Sequence, residues 1–174
     1  MIEARTKYTK ESFREFQRFN LFTGARGAIM IVCLIIIFGA GLISMAPSFA
    51  SGDPTGSFPA IIFITLGILY LLRPRIAARS AFKRSPALFE SGVAYSFSGE
   101  FFTETVSGAS VSGVSNIKYA ALYKAFETKK YFYLYLQPNS AFIIDKTGFT
   151  QGTPEELAAI LGRAMPGKKF RKYK

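Results

Sequence analysis

From Gly27 to Ala46 the chain runs through 20 residues without a charge, GAIMIVCLIIIFGAGLISMA, and a stretch of this kind has few stable fates. As a helix rising about 1.5 Å per residue it matches a hydrocarbon core roughly 30 Å thick. Ten of these residues are Ile, Val, Leu or Phe. At about −0.3 to −0.6 kcal/mol each near mid-bilayer, they favour insertion by about 3–6 kcal/mol, with no charge in opposition. A second charge-free run, 55–72 (TGSFPAIIFITLGILYLL), holds ten more Ile, Leu or Phe and stops at Arg73. Between the runs, residues 47–54 (PSFASGDP) supply turn formers and one acid, Asp53. The pattern predicts a transmembrane α-helical hairpin with a first span over 27–46, an external loop over 47–54 and a second span over 55–72.

Charge then sets the expected orientation, because Lys and Arg in short flanks stay on the cytoplasmic side. Residues 1–26 hold six bases and three acids, and Arg73, Arg75, Arg79, Lys83 and Arg84 follow the second run with no acid before Glu90. Both termini are therefore expected in the cytosol, with the chain in the cytoplasmic (inner) membrane and residues 73–86 as a basic juxtamembrane linker. A cleavable leader is the rival reading, since Ser48-Phe49-Ala50 has the small-x-small form. The 26-residue charged leader and the 20-residue apolar run are too long for it.

Composition removes several chemistries. The chain has no His and no Trp. Without His there is no Ser/His or Cys/His hydrolase, and the side chain best suited to proton transfer near neutral pH is missing. The single cysteine, Cys33, lies inside the first apolar run, so neither an intrachain disulfide nor a Cys-rich zinc site is available. Neither run carries an Asp, Glu, Lys or Arg, which argues against a proton or ion pathway. Gly108 and Gly113 lack the G-K-[ST] of a phosphate loop and read as turn glycines; Glu100 and Glu104 read as solvated edge charges rather than a catalytic pair. No enzyme, cofactor or metal site is expected.

After Pro86 the periodicity changes. Val93, Tyr95 and Phe97 alternate with Ala94, Ser96 and Ser98 until Gly99-Glu100, predicting a strand and a hairpin into 101–106. Further strands are read over 111–117, 122–127, 131–136 and 141–145. The 131–136 strand (YFYLYL) places Tyr131, Tyr133 and Tyr135 on one face and Phe132, Leu134 and Leu136 on the other, so both faces can be covered. Thr153, Pro154 and Glu156 form a capping box with Pro in the first turn, and Leu157, Ile160, Leu161 and Ala164 give the ensuing helix an apolar stripe. Six strands and one helix predict an α+β domain over 87–165, an antiparallel curved sheet or partly open barrel with one C-terminal helix, in outline pleckstrin-homology-like. The domain carries six bases and seven acids, so the net +11 of the chain belongs to its flanks, which favours anionic lipid over nucleic acid as a partner.

Residues 2–8 read as one more strand. The segment 9–22 reads as a helix, with Ser12-x-x-Glu15 as its capping box and Phe13, Phe16, Phe19 and Phe22 at every third position. It suits either an interfacial helix or one whose phenylalanines pack on the sheet; whether residues 1–26 join the sheet or lie on the membrane stays open at this point. Arg75, Arg79 and Lys83 stand at i, i+4 and i+8 of a helix leaving the bilayer, and each is worth about 1 kcal/mol beside an anionic leaflet. The tail 166–174 carries Lys168, Lys169, Arg171 and Lys172 around Phe170 and Tyr173, suiting either headgroup insertion or a solvated end. Those seven bases are the candidate lipid-headgroup contacts. Ala40 and Ser44 form a small-x-x-x-small pair for close helix contact or homo-oligomerisation.

The order of these parts resembles the YcxB-like membrane proteins of bacteria. The resemblance rests on Tyr8-Thr9-Lys10-Glu11-Ser12-Phe13, the paired apolar runs, and the stretch from Tyr131 through Ala141-Phe142-Ile143-Ile144-Asp145-Lys146-Thr147-Gly148-Phe149 to Glu155-Glu156-Leu157. It implies a membrane-anchored domain similar to bacterial pleckstrin-homology-like domains, and it carries over no functional residue. The expected role is a non-enzymatic anchor or scaffold that presents its domain to a protein partner or anionic lipid. The alternative is an accessory subunit of a membrane transport complex.

Overall fold

The computed structural model describes residues 1–52, 58–84, 91–108, 112–165 and 169–173. The chain divides into two compact units, residues 17–81 and residues 1–16 with 82–174.

In the first unit, helix α2 (Gly24–Ser51) and helix α3 (Phe58–Arg84) carry the two apolar runs. Each contains a segment long and apolar enough to cross a membrane, Gly27–Ala46 and Ala60–Lys83. Both helices extend past the apolar runs read from the sequence. The chain is still helical at Pro47, and α3 continues through Pro74 to Arg84, because the hydrophobic run marks where lipid-compatible residues lie and not where backbone hydrogen bonding stops. The loop's Asp53 and the start of the expected second span fall in 53–57, outside the described residues. The helices meet at small residues. A side chain at Gly67 would run into the Phe38 ring, and Gly41 lies against Phe63 and Ala60. Ala40, expected to make such a contact, is exposed, and Ser44 donates to the Gly41 carbonyl at 2.8 Å.

The second unit is an antiparallel-sheet domain with a C-terminal helix. Its strands are β1 (Ile2–Lys7), β2 (Gly92–Phe97), β3 (Phe101–Ser107), β4 (Ser112–Lys118), β5 (Lys124–Glu127), β6 (Tyr131–Gln137), β7 (Ser140–Asp145), β8 (Phe149–Gln151) and β9 (Phe170–Lys172). They do not close into a barrel. Instead they divide into a five-stranded sheet, β4-β3-β2-β1-β8, and a four-stranded sheet, β7-β6-β5-β9. The break falls at the short 3-10 turn Tyr119–Ala121 between β4 and β5. The N-terminal strand is a full member of the larger sheet, pairing antiparallel with β2 on one side and β8 on the other.

One core serves both sheets. Val93, Tyr95 and Phe97 point into it, as the alternation requires, together with Phe102, Phe132, Leu134 and Ile144. Helix α4 (Pro154–Ala164) adds Leu157, Ala158 and Leu161. Its capping box forms as read: Thr153 Oγ1 accepts from Glu156 N at 3.2 Å, and Glu156 Oε2 accepts from Thr153 N at 3.1 Å. The tyrosine face of β6 is covered as well, since Phe16 of helix α1 (Lys10–Phe22) lies 5.5 Å from the Tyr133 ring and 5.8 Å from Tyr135. The cap of α1 differs from expectation. Thr9 takes the cap position and exchanges hydrogen bonds of 3.0 Å with Ser12, while Glu15 pairs with Lys130 at 3.0 Å. Thr9 precedes the first helical residue, so it wins the orphan N–H groups that a cap at Ser12 would reach only by shortening the helix.

Candidate functional site

Of the seven bases singled out in the sequence, three lie on α3 and two, Arg171 and Lys172, on β9. Arg75, Arg79 and Lys83 lie on the unbroken helix α3 at i, i+4 and i+8, so they share one face, and all three are exposed. Lys168 lies outside the described residues; Lys169, Arg171 and Lys172 are exposed. Residues 170–172 of the tail form a strand, because β9 pairs parallel with β5 through Ala125–Phe170 and Glu127–Lys172. Its two aromatic residues are committed to the fold: Phe170 packs on the core and Tyr173 meets Phe126 edge to face at 5.4 Å. Glu127 fastens this strand. Lys146 Nζ donates to its Oε1 at 2.8 Å, and Lys172 Nζ approaches its Oε2 at 3.2 Å. Burial pushes the Glu127 carboxyl up, but the hydrogen bonds and charges of Lys146 and Lys172 outweigh it and hold the group below the usual carboxylate range.

Glu100 and Glu104 part company. Glu100 is exposed at the β2–β3 turn, whereas Glu104 is half-buried and accepts from the Tyr95 hydroxyl at 3.3 Å. The Tyr8 and Tyr95 hydroxyls are 2.7 Å apart, so with Tyr95 donating to Glu104, Tyr8 donates to Tyr95. Burial pushes Tyr8 up to about 12 and raises Tyr95 and Glu104. The chain of hydrogen bonds ties the end of β1 to β2 and β3; it contains no activated nucleophile. Among the described residues no group of three or more Cys, Asp or Glu is placed to hold a metal ion.

The feature that sequence reading missed lies on the outer face of the larger sheet. Strand alternation buries Ile2, Ala4 and Thr6 and turns Glu3, Arg5 and Lys7 outward. Register then sets Arg5 beside Ala94 and Thr105, and Lys7 beside Gly92 and Ser107. Paired residues share a face, so each outward row runs from a cation through a very small residue to a hydroxyl. The result is a trough of about 500 Å³ lined by Arg5, Lys7, Gly92, Ala94 and Ser107 among others. A side chain at Gly92 would meet only the Ser107 carbonyl oxygen, at 3.9 Å, so the missing Cβ is what leaves the floor open. Strand β1 is held in place from behind. Thr6 Oγ1 accepts from Asp145 N at 3.1 Å, and the turn at Gly148 comes so close to the Arg5 carbonyl that no other residue fits there. Among the described residues neither Arg5 nor Lys7 has a carboxylate within ion-pair distance. The signal was present in the alternation of 2–8, but the trough exists only once β1 is known to lie beside β2.

Residues 97–161 match the family model described as YcxB-like protein. The match runs from the last residue of β2 to Leu161 in α4, and it bears out, over that segment, the resemblance read from the sequence. Comparison with curated proteins and with solved structures returned no match.

Proposed function

Taking as premise a YcxB-like segment on the same chain as two long apolar helices, we propose that the protein is a non-enzymatic membrane anchor that presents a cytosolic pleckstrin-homology-like domain to anionic lipid or a protein partner. The observation that carries this reading is where the large apolar residues point. Ile35, Ile36, Leu42 and Ile43 on α2, and Ile61, Ile62 and Leu66 on α3, are all more than half exposed. A contiguous apolar surface of that extent is tolerated in lipid and not in water. The pleckstrin-homology-like assignment is supported by two packed sheets and a C-terminal helix sharing one core. The cytosolic placement of both ends is supported by Arg73, Arg75, Arg79 and Lys83 at the end of α3.

The test is mass spectrometry of everything retained when the intact protein is extracted from its membrane in native lipid discs. Enrichment of an anionic lipid over the bulk membrane, or a stoichiometric soluble partner, is the expected outcome. Recovery in the soluble fraction without detergent would overturn the anchor. Recovery as a fixed stoichiometric part of a polytopic transport assembly would replace the role with that of an accessory subunit.

A further inference from the structure

We propose that the trough on the outer face of the larger sheet is a binding site for a phosphoryl group. This deepens the reading of the domain as a lipid-directed module and rests on it only for the source of the ligand.

Three observations converge. Arg5 and Lys7 project from the same side of β1, one strand repeat of about 7 Å apart, and both are exposed. Among the described residues no carboxylate forms an ion pair with either of them, so both cations are open to an anion in the trough. Across the narrow floor of Gly92 and Ala94 stands Ser107, brought beside Gly92 by the β2–β3 register. A guanidinium and an ammonium side by side suit a tetrahedral dianion with three acceptor oxygens, better than a monoanionic carboxylate. The volume of about 500 Å³ leaves room for the alcohol that a phosphate ester carries. Its buried neighbours Thr6 and Val93 belong to the core side of the same strands, so the walls are fixed by the sheet and not by a loop.

The ligand chemistry has two sources, a phospholipid headgroup or a small phosphate ester in solution. The full-length protein is placed in discs of phosphatidylcholine and titrated with glycerol 3-phosphate by calorimetry. Saturable binding is expected, weakened about tenfold or more in the Arg5→Gln/Lys7→Gln double variant, which removes two charge-assisted contacts. Gly92→Leu fills the floor with both charges kept, and it is expected to weaken binding by a similar factor. The open space at Gly92 predicts an unchanged thermal midpoint for that variant. Discs doped with phosphatidic acid separate the sources: lost binding of the soluble ester assigns the site to lipid, and unchanged binding assigns it to a free ester. Absence of saturable binding to the parent, or parent-like binding by Gly92→Leu, overturns the site. That result would leave membrane anchoring untouched, since anchoring is read from extraction and not from the titration.

Discussion

The two units of this chain spend the same residue types in opposite directions. Between residues 17 and 81 many of the large aliphatic side chains face outward, with Ile35 at 66%, Leu42 at 67% and Ile43 at 76% exposure. In the sheet unit Phe97, Phe102, Phe132, Leu157 and Leu161 are at 1% or less. Burial in the sheet unit follows from strand alternation and a capped amphipathic helix, the ordinary means by which a chain hides apolar surface from water. The helical unit has neither alternation nor an amphipathic stripe along its apolar runs. Its two helices meet through Gly41 and Gly67, which brings backbones close and leaves the bulky residues on the outside. One unit thus hides its apolar side chains, and the other leaves on its surface two helices long and apolar enough to cross a membrane.

Substitutions that exchange the two regimes should break this contrast. The largest effect is expected in the sheet core. Phe132 touches both the helix-covered core and the Lys146 ammonium, 4.9 Å above its ring, so Phe132→Ala should cost about 3–5 kcal/mol in the sheet unit's unfolding, read by chemical denaturation in discs. The same truncation at Ile36, which is already exposed, should leave that transition unchanged. Charge at Ile36 is another matter. Ile36→Arg should disfavour insertion of α2 by about 3 kcal/mol, measured as the fraction of chains integrated in an insertion assay, and an exposed position on a soluble helix would show no such effect.

A smaller effect sharpens the comparison within the sheet unit. Glu127 has a folded-state pKa below its ordinary value, so its contribution is present above the unfolded value and is lost as pH falls through the folded one. Glu127→Gln should therefore destabilise by about 1–2 kcal/mol at pH 7, with parent and variant converging as pH falls through the lowered folded-state value. A constant gap across that range would mean that Glu127 acts through packing and not through Lys146 and Lys172.

Much of this architecture was legible in the sequence where a signal repeats. The charge-free runs announced α2 and α3, the period of two announced β2 and β6 with turn residues marking the strands around them, and Thr153 with Glu156 announced α4. The elements that escaped are those too short to have a period. Strands β8 and β9 have three residues each, and they exist because β1 and β5 offer them an edge. The tail bases were legible as charge, but the partnership of Lys172 with Glu127 depends on a parallel pairing that no local pattern encodes. Glu104 was misread for a related reason: its apparent freedom on a strand vanishes once Tyr95, itself bonded to Tyr8, donates to it from the neighbouring strand. The trough needed register as well, since Gly92 and Ala94 become a floor only between the cations of β1 and the hydroxyls of β3.

The central proposal is that the helical unit crosses a membrane with the sheet unit on the cytosolic side. It is tested most directly by cysteine labelling in a Cys33→Ser background, with single cysteines introduced at Ala50, exposed near the end of α2, and at Ser115, exposed on β4. A membrane-impermeant maleimide applied to intact cells should label Ala50→Cys, and it should reach Ser115→Cys only after the membrane is permeabilised. Labelling of Ser115→Cys in intact cells with Ala50→Cys protected would invert the topology, and labelling of neither before permeabilisation would contradict the spanning hairpin.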